Sequence, residues 1–359
     1  MRFGVFYELS VPRPWTAESE RTVYMNALEQ VRVADEMGFH SVWAVEHHFL
    51  EEYSHSSAPE LFLTACAMQT KQIRVGHGIV ICVPEFNHPV KIAERAAVLD
   101  ILSGGRLEFG TGRSATWTEL GGFRANPDTT KNSWDEFVHT IPQMWMQERF
   151  SHEGAYFSIE DSHVVPFRRT PYRIYLGGTS DHTYRLAAEN GWGVAVPPLL
   201  PYSVLEQQLD VYRDSCAKAG TTPDIVWIHA CHIDEDRDTA LREGEQWVPQ
   251  FIQGNCSPLT EWPKPPTEGL QAAGYGFYAS GIMERLATVP YEQLIEDDYV
   301  WVGTPDALGV VSLPSSRTGG TPSIKLRISS PVRVSYSSSA LAMVCSPSMC
   351  SRITRCAVW

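Results

Sequence analysis

Short apolar strands alternate with helical repeats along most of this chain, and no other feature limits its fold as tightly. Residues 2–8 read as a strand. Residues 17–37 follow with Val23, Ala27, Val31, Ala34 and Met37 at helical spacing, and Gly38 stops the helix. The pairing recurs as strand 41–46 with helix 59–69, and as strand 73–83, interrupted by Gly, with helix 89–102. Strand 106–110 is followed by a helix over 131–147 that Pro142 kinks or splits. The second half repeats the scheme with strands 173–176, 193–196 and 225–233 and helices 181–190, 203–219 and 238–251. These seven strands predict a parallel α/β protein. A right-handed βα series of this length fits a (β/α)8 TIM-type barrel better than an open sheet. A chain of 359 residues, 43% hydrophobic, can fill such a barrel as one domain.

The net charge of −13 averages two unlike parts. No Asp or Glu follows Asp306. Residues 312–359 carry six Lys/Arg and 13 Ser, whereas the first 311 residues carry 23 basic against 42 acidic side chains. The expected organisation is an acidic barrel over 1–311 and a basic, Ser-rich tail over 312–359. The acidic body argues against a nucleic-acid partner. No run of about 18 apolar residues predicts a membrane span. The N-terminus reads as a strand rather than a signal peptide, so the expected location is cytoplasmic. The eight Cys show neither CxxC spacing in the body nor a nearby His in the tail, which predicts reduced, mostly buried thiols.

Residues 254–281 break the rhythm with Pro258, Pro263, Pro265 and Pro266 and with Trp262, Tyr275, Phe277 and Tyr278. Such a stretch is a lid or a disordered insertion, and its aromatics favour a lid.

Barrel active sites gather where strands end. The first strand ends in Tyr7-Glu8, the second in Glu46-His47-His48 and the third in His77-Gly78. The fourth runs into Gly112-Arg113-Ser114 and the fifth into Gly178-Thr179-Ser180. Adjacent strand residues face opposite ways, so His47 and His48 share one metal only if the strand has broken. One imidazole lining a pocket as acid/base, with the other packed outside, fits better, and no metal site is expected. Two structurally satisfied His at a strand end remain the alternative. Gly177-Gly178-Thr179-Ser180 opens a helix whose first turn holds Thr183, and Arg113 enters from the neighbouring strand. Small residues, free N–H groups, hydroxyls and a forked cation make a phosphate site. The alternative is ordinary N-capping by Ser180 or Asp181, with Arg113 in a surface ion pair.

Two other motifs are set aside. Gly110-Thr111-Gly112-Arg113-Ser114-Ala115 matches GxGxxA, but no helix pattern starts directly after it. Asp234, Asp236, Asp238 and Glu245 match calcium-loop positions, but Thr239 stands where Gly is needed, and acidic residues opening a helix explain them better.

Several motifs in order resemble the bacterial luciferase-like, flavin-dependent monooxygenases. They are Trp43-Ala44-Val45-Glu46-His47-His48-Phe49, Asn87-His88-Pro89-Val90, Leu99-Asp100-Ile101-Leu102-Ser103-Gly104-Gly105-Arg106, Phe109-Gly110-Thr111-Gly112-Arg113, Ala187-Ala188-Glu189-Asn190-Gly191 and Val302-Gly303-Thr304-Pro305. The resemblance covers about residues 1–308. It implies a barrel that binds reduced FMN, a separate flavin reductase and a homodimer. It also implies dioxygen as co-substrate, reacting through a flavin hydroperoxide to oxidise an aldehyde, ketone or hydrocarbon-like molecule. By the same resemblance, His47 is the pocket acid/base, Arg113, Gly178, Thr179, Ser180 and Thr183 hold the FMN phosphate, and Gly78-Ile79 is a cis peptide beside the ring. Thr179 stands where some relatives have an acidic residue. The rival readings are a deazaflavin-dependent oxidoreductase on the same fold and a non-catalytic or truncated flavin-binding relative.

After Asp306-Ala307-Leu308 the family pattern stops. The tail lacks the expected helix, eighth strand and closing helix, and reads like a gene continued out of frame. Without an eighth strand two sheet edges stand open, unless the alternating stretches 324–328 or 332–336 substitute for it.

Overall fold

The computed structural model describes residues 2–167, 172–178, 180–200, 202–304 and 340–345, the last six as backbone only. The first half runs β1 (Arg2–Tyr7), α1 (Ser19–Glu36), β2 (Ser41–Ala44), α2 (Pro59–Gln69), β3 (Arg74–His77), β4 (Val80–Ile81), α3 (Pro89–Ser103), β5 (Leu107–Gly112), α4 (Trp117–Phe123) and α5 (Thr130–Met146). A hairpin of β6 (Phe150–Glu153) and β7 (Ser158–Ser162) separates the halves. Then come β8 (Arg173–Gly177), α6 (Asp181–Asn190), β9 (Gly193–Val196), α7 (Tyr202–Ala219), β10 (Ile225–Ile233) and α8 (Arg237–Cys256). The short helices α9 (Glu268–Ala272), α10 (Ile282–Leu286) and α11 (Tyr291–Glu296) lead to β11 (Val300–Gly303), and β12 (Ala340–Cys345) lies in the tail.

The strands expected from periodicity are all present and parallel. Pairings run from β1 through β2, β3, β5, β8 and β9 to β10. The slot between β10 and β1 is taken by β12, which is parallel to both, with Phe3 opposite Leu341 and Trp227 opposite the same residue. Eight parallel strands therefore pair around a complete circuit. The tail supplies the eighth, but through residues 340–345; the stretches 324–328 and 332–336 lie outside the described residues.

The helix over 131–147 is not split: α5 carries Pro142 in its interior. Strand 73–83 divides into β3 and β4 at Gly78-Ile79. A seven-residue helix, α4, does follow Gly110–Ala115, capped by Thr116, whose hydroxyl accepts from the Glu119 N–H. It is too short for a helical period to show in the sequence. Asp236 caps α8 by accepting from Thr239 N–H, as the helix-opening reading expects.

Strand alternation sorts the core. Val42, Ala44, Val194 and Ile225 point outward to the helices, while Phe6, Trp43, Tyr175, Ala195, Val226 and Ile228 form an inner cluster. Trp43 and Tyr175 meet edge to face at 5.3 Å. Full burial of each such apolar side chain is worth roughly 1.5–3 kcal/mol. Below this layer, at the strands' N-terminal ends, Glu108 is fully buried and ion-paired to Arg74 and Arg173, and Asp224 joins Arg2 and Arg173. That polar plug closes the bottom and leaves the opposite end for chemistry. Among the described residues no helix is long and apolar enough to cross a membrane.

Candidate active site

A cavity opens at the C-terminal ends of β1, β2, β3, β5, β8 and β9. Its floor forms around Ile79. The Gly78–Ile79 peptide is cis, as the resemblance implies. A Cβ on Gly78 would stand 2.9 Å from the Phe6 ring, and one on Gly177 would stand 2.8 Å from Cγ2 of Ile79. Both positions need glycine because neighbouring side chains fill the space a methyl would occupy.

One pole of the cavity is built on His47. Beyond β2 the chain leaves the strand pattern and sends the two adjacent imidazoles different ways. His47 lines the cavity. His48 turns outward, with Nε2 3.2 Å from Oε1 of Glu46 and its ring edge-on to Phe123 at 4.9 Å. Glu46 is fully occupied there, also accepting from Asn87 Nδ2 at 2.8 Å and from Ile81 N–H at 2.6 Å. One histidine thus faces the cavity and the other braces the turn, and they do not share a metal geometry.

His47 is gripped by Glu119, which is wholly buried. Glu119 Oε1 lies 3.1 Å from His47 Nδ1 and accepts from His48 N–H at 2.9 Å. Its Oε2 accepts from Ser114 Oγ and Thr116 Oγ1, both at 2.7 Å. Four bonds saturate this carboxylate. Burial alone raises its pKa, but His47 and the hydroxyls outweigh burial and hold it below the ordinary carboxylate value. An ionised Glu119 only accepts, so His47 Nδ1 carries a proton. For His47 burial pulls the pKa down, yet Glu119, Glu8 and Glu46 together raise it above the usual imidazole value. Nε2 is left facing the cavity.

Glu8 stands across from it, 4.0 Å from Nε2. Burial lifts its pKa to about 6, while His47 and the Tyr53 hydroxyl pull it back. Tyr53 Oη donates to Glu8 Oε1 at 2.9 Å and also lies 3.0 Å from Asn255 Oδ1.

Arg113 lines the same cavity. Its guanidinium lies 4.6 Å from the Tyr275 ring centroid and donates to Thr130 Oγ1 at 3.2 Å. Among the described residues it pairs with no carboxylate. Gly178 lines the cavity beside it. Ser180 caps α6 by accepting from Thr183 N–H, and the two hydroxyls are 2.9 Å apart. Thr183 Oγ1 lies 3.4 Å from where a Gly178 Cβ would be. Ser180 and Thr183 therefore cap the helix and flank Gly178 without lining the cavity themselves; Thr179 lies outside the described residues.

Residues 254–281 contribute to the cavity wall. They are more regular than expected: 254–256 belong to α8, and α9 and two 3-10 turns follow. Trp262 donates to Ala115 O at 3.0 Å and stacks on Tyr275, whose hydroxyl reaches Ser114 O at 3.1 Å. Pro258, Leu259, Phe277 and Tyr278 face the cavity.

Of the residues expected at the site, His47, Gly78, Ile79, Arg113 and Gly178 line one cavity. Sequence reasoning passed over Glu119, Tyr53 and Asn255. Only Glu119 carried a local signal, in Thr116-Trp117-Thr118-Glu119, which matches the helix-opening box of a hydroxyl followed three residues later by Glu.

Known proteins resemble this chain in sequence and fold. The family model described as luciferase-like monooxygenase matches residues 1–308. The oxygenase component of flavin-dependent trigonelline monooxygenase from Acinetobacter baylyi is 26% identical over 85% of this chain and 89% of its own length. F420-dependent glucose-6-phosphate dehydrogenase from Microbacterium testaceum is 28% identical over 66% of this chain and 72% of its own. Among solved structures, the oxygenating constituent of 3,6-diketocamphane monooxygenase from Pseudomonas putida, in complex with FMN, superposes with a TM-score of 0.67, 21% identity and 85% coverage of both chains. With the family model spanning most of the chain and the barrel strands in place, this protein belongs to the luciferase-like monooxygenase family.

Proposed function

We propose that the protein is the oxygenase of a two-component monooxygenase that uses reduced FMN and dioxygen to oxidise a small organic substrate. One observation carries the reading: a single cavity is lined by an imidazole, His47, by the cis Gly78–Ile79 turn and by a guanidinium, Arg113, that has no carboxylate partner among the described residues. Arg113 and Gly178, with Ser180 and Thr183 at the helix start beside Gly178, would hold the phosphate. Gly78 and Ile79 would lie against the ring. Reduced flavin supplies the electrons that activate dioxygen for transfer of one oxygen atom. His47 delivers or removes a proton through Nε2 while Glu119 keeps its ring oriented. The 254–281 segment acts as a lid that excludes water.

The test is a reduced-FMN titration followed by turnover in ¹⁸O₂ with a separate reductase. Tight binding of reduced FMN and one labelled oxygen in product support the reading; failure to bind reduced FMN refutes it. The relative that uses F420 keeps a deazaflavin hydride-transfer reading in play, and its mark is turnover that proceeds without dioxygen.

The same reading includes a homodimer. Leu61 and Met68 on α2 and Val98, Ile101 and Leu102 on α3 are exposed on two adjoining helices, an apolar face that a second copy would cover. The buried thiols of Cys66, Cys82, Cys216 and Cys256 suit the reducing cytoplasm.

A further inference from the structure

Among the described residues, Arg113 is the only Lys or Arg that lines the cavity, and the groups that hold it are neutral. Its Nη1 donates to Thr130 Oγ1 at 3.2 Å, and its guanidinium lies 4.6 Å from the Tyr275 ring centroid. A carboxylate in their place would fix the guanidinium but also neutralise it. Neutral partners fix it and leave its charge for a ligand.

Most of this hold comes from Tyr275. The residue is 2% exposed and does not line the cavity itself. Its ring meets the guanidinium, while its hydroxyl lies 2.8 Å from Thr130 Oγ1 and donates to Ser114 O at 3.1 Å. One direction of bonding satisfies the set: Arg113 donates to Thr130, Thr130 to Tyr275, and Tyr275 to the Ser114 carbonyl. Tyr275 therefore grips Arg113 twice, through its ring and through Thr130. Gly274 adds a third constraint. Its φ is +84°, and a Cβ there would stand 2.9 Å from Arg113 Nη2. Glycine both adopts that turn without strain and leaves room for the guanidinium. Tyr275 is fixed in turn by Trp262, which stacks on it at 4.4 Å and donates to Ala115 O at 3.0 Å. Trp262 and Tyr275 thus dock on three consecutive residues, Arg113, Ser114 and Ala115. An Arg side chain without such support spreads over many rotamers, and ordering it during binding weakens affinity.

We infer that Tyr275 is a positioning residue for Arg113, pre-ordering the guanidinium so that the 254–281 segment sets how strongly the site prefers a phosphorylated flavin. This rests on the proposed role of Arg113 as the cation that holds the flavin phosphate.

The test compares reduced FMN with reduced riboflavin, which has the same ring and no phosphate, in anaerobic titrations at pH 7.5. The wild type is expected to prefer FMN by about tenfold or more. Tyr275→Leu should lower FMN affinity about tenfold and leave riboflavin affinity within about twofold, so that the preference collapses. Tyr275→Phe keeps the ring face and should retain most of the preference. Gly274→Ala, on an exposed turn, pushes on Nη2 without altering Tyr275 and should also weaken FMN alone. It decides the matter if Tyr275→Leu does not fold. Arg113→Ala is the reference. If Arg113→Ala loses the preference while Tyr275→Leu and Gly274→Ala both keep it, the inference falls and the phosphate role stands. If Tyr275→Leu and Gly274→Ala weaken both flavins equally, Tyr275 supports the fold only, and the inference is overturned. If Arg113→Ala keeps the preference, the phosphate role itself falls and takes the inference with it.

Discussion

Glu119 Oε1 lies 3.1 Å from Nδ1 of His47, although 72 positions separate the two residues. The helix that opens after β5 and the turn that follows β2 meet only because the barrel brings β2, β3 and β5 side by side. The contact fixes which imidazole nitrogen holds a proton and which faces the cavity, so it decides what His47 can do.

Replacing His47 with Ala should leave flavin affinity near wild type and remove most turnover. Glu119→Gln should act through the same imidazole: it removes a charged hydrogen bond worth about 1.5–3 kcal/mol, so turnover should fall roughly 10- to 100-fold. The imidazole pKa, followed by NMR, should drop in this variant. Unchanged product formation by His47→Ala would sink the assignment.

The same pair predicts a pH-dependent contribution to stability. Glu119 sits below the ordinary carboxylate value of about 4.5, held there by His47 and the hydroxyls against the effect of burial, so its contribution is present above that pH and is lost as pH falls through its lower folded value. His47 sits above 6.5, so its contribution is present below that pH and is lost as pH rises through its higher folded value. The difference in Tm between wild type and Glu119→Gln should therefore be widest from about pH 4.5 to 6.5 and narrow on both sides. A flat difference across pH 3–9 in calorimetry would contradict the coupling.

Arg113→Ala should weaken reduced-FMN binding by about 10- to 100-fold, the usual cost of losing charge-assisted bonds to phosphate. Arg113→Lys should recover only part of it, because Lys keeps the charge but loses the planar face against Tyr275. An unaltered flavin titration in Arg113→Ala would remove the phosphate role.

Gly177→Ala tests the floor. The added methyl meets Cγ2 of Ile79 at 2.8 Å, and Ile79 is also close to Gly112, where a Cβ would stand 3.1 Å from it. Ile79 has to move into the cavity, at a cost of about 1–3 kcal/mol in stability. FMN affinity should fall with it, measured by the same titration; full affinity would show that the ring does not rest there.

Much of this architecture was readable along the chain because it is local. Helix α2 starts at a Pro in its first turn and α6 at a capping Ser, and both fall where periodicity puts them. His47, Gly78, Arg113 and Gly178 could be picked out because each lies at a strand end, and strand ends converge in a barrel whatever the substrate, whereas Ile79 came from the family resemblance alone. The short α4 was not readable, since seven residues hold too few turns for a period. Nor was the order within residues 254–281, which comes from Trp262 and Tyr275 docking on Ala115 and Ser114.

By itself, then, the sequence determined the βα series, the strand-end residues and the family, because these depend on short-range periodicity and on motifs read in order. Tertiary structure decided what those residues are to one another. It turned His47 inward and His48 onto Glu46, saturated Glu119, left one oxygen of Glu8 without a partner, and set residues 340–345 between β10 and β1. Those outcomes depend on contacts between segments far apart in the chain, and on the desolvation and charge coupling that arise only once the barrel has buried them together.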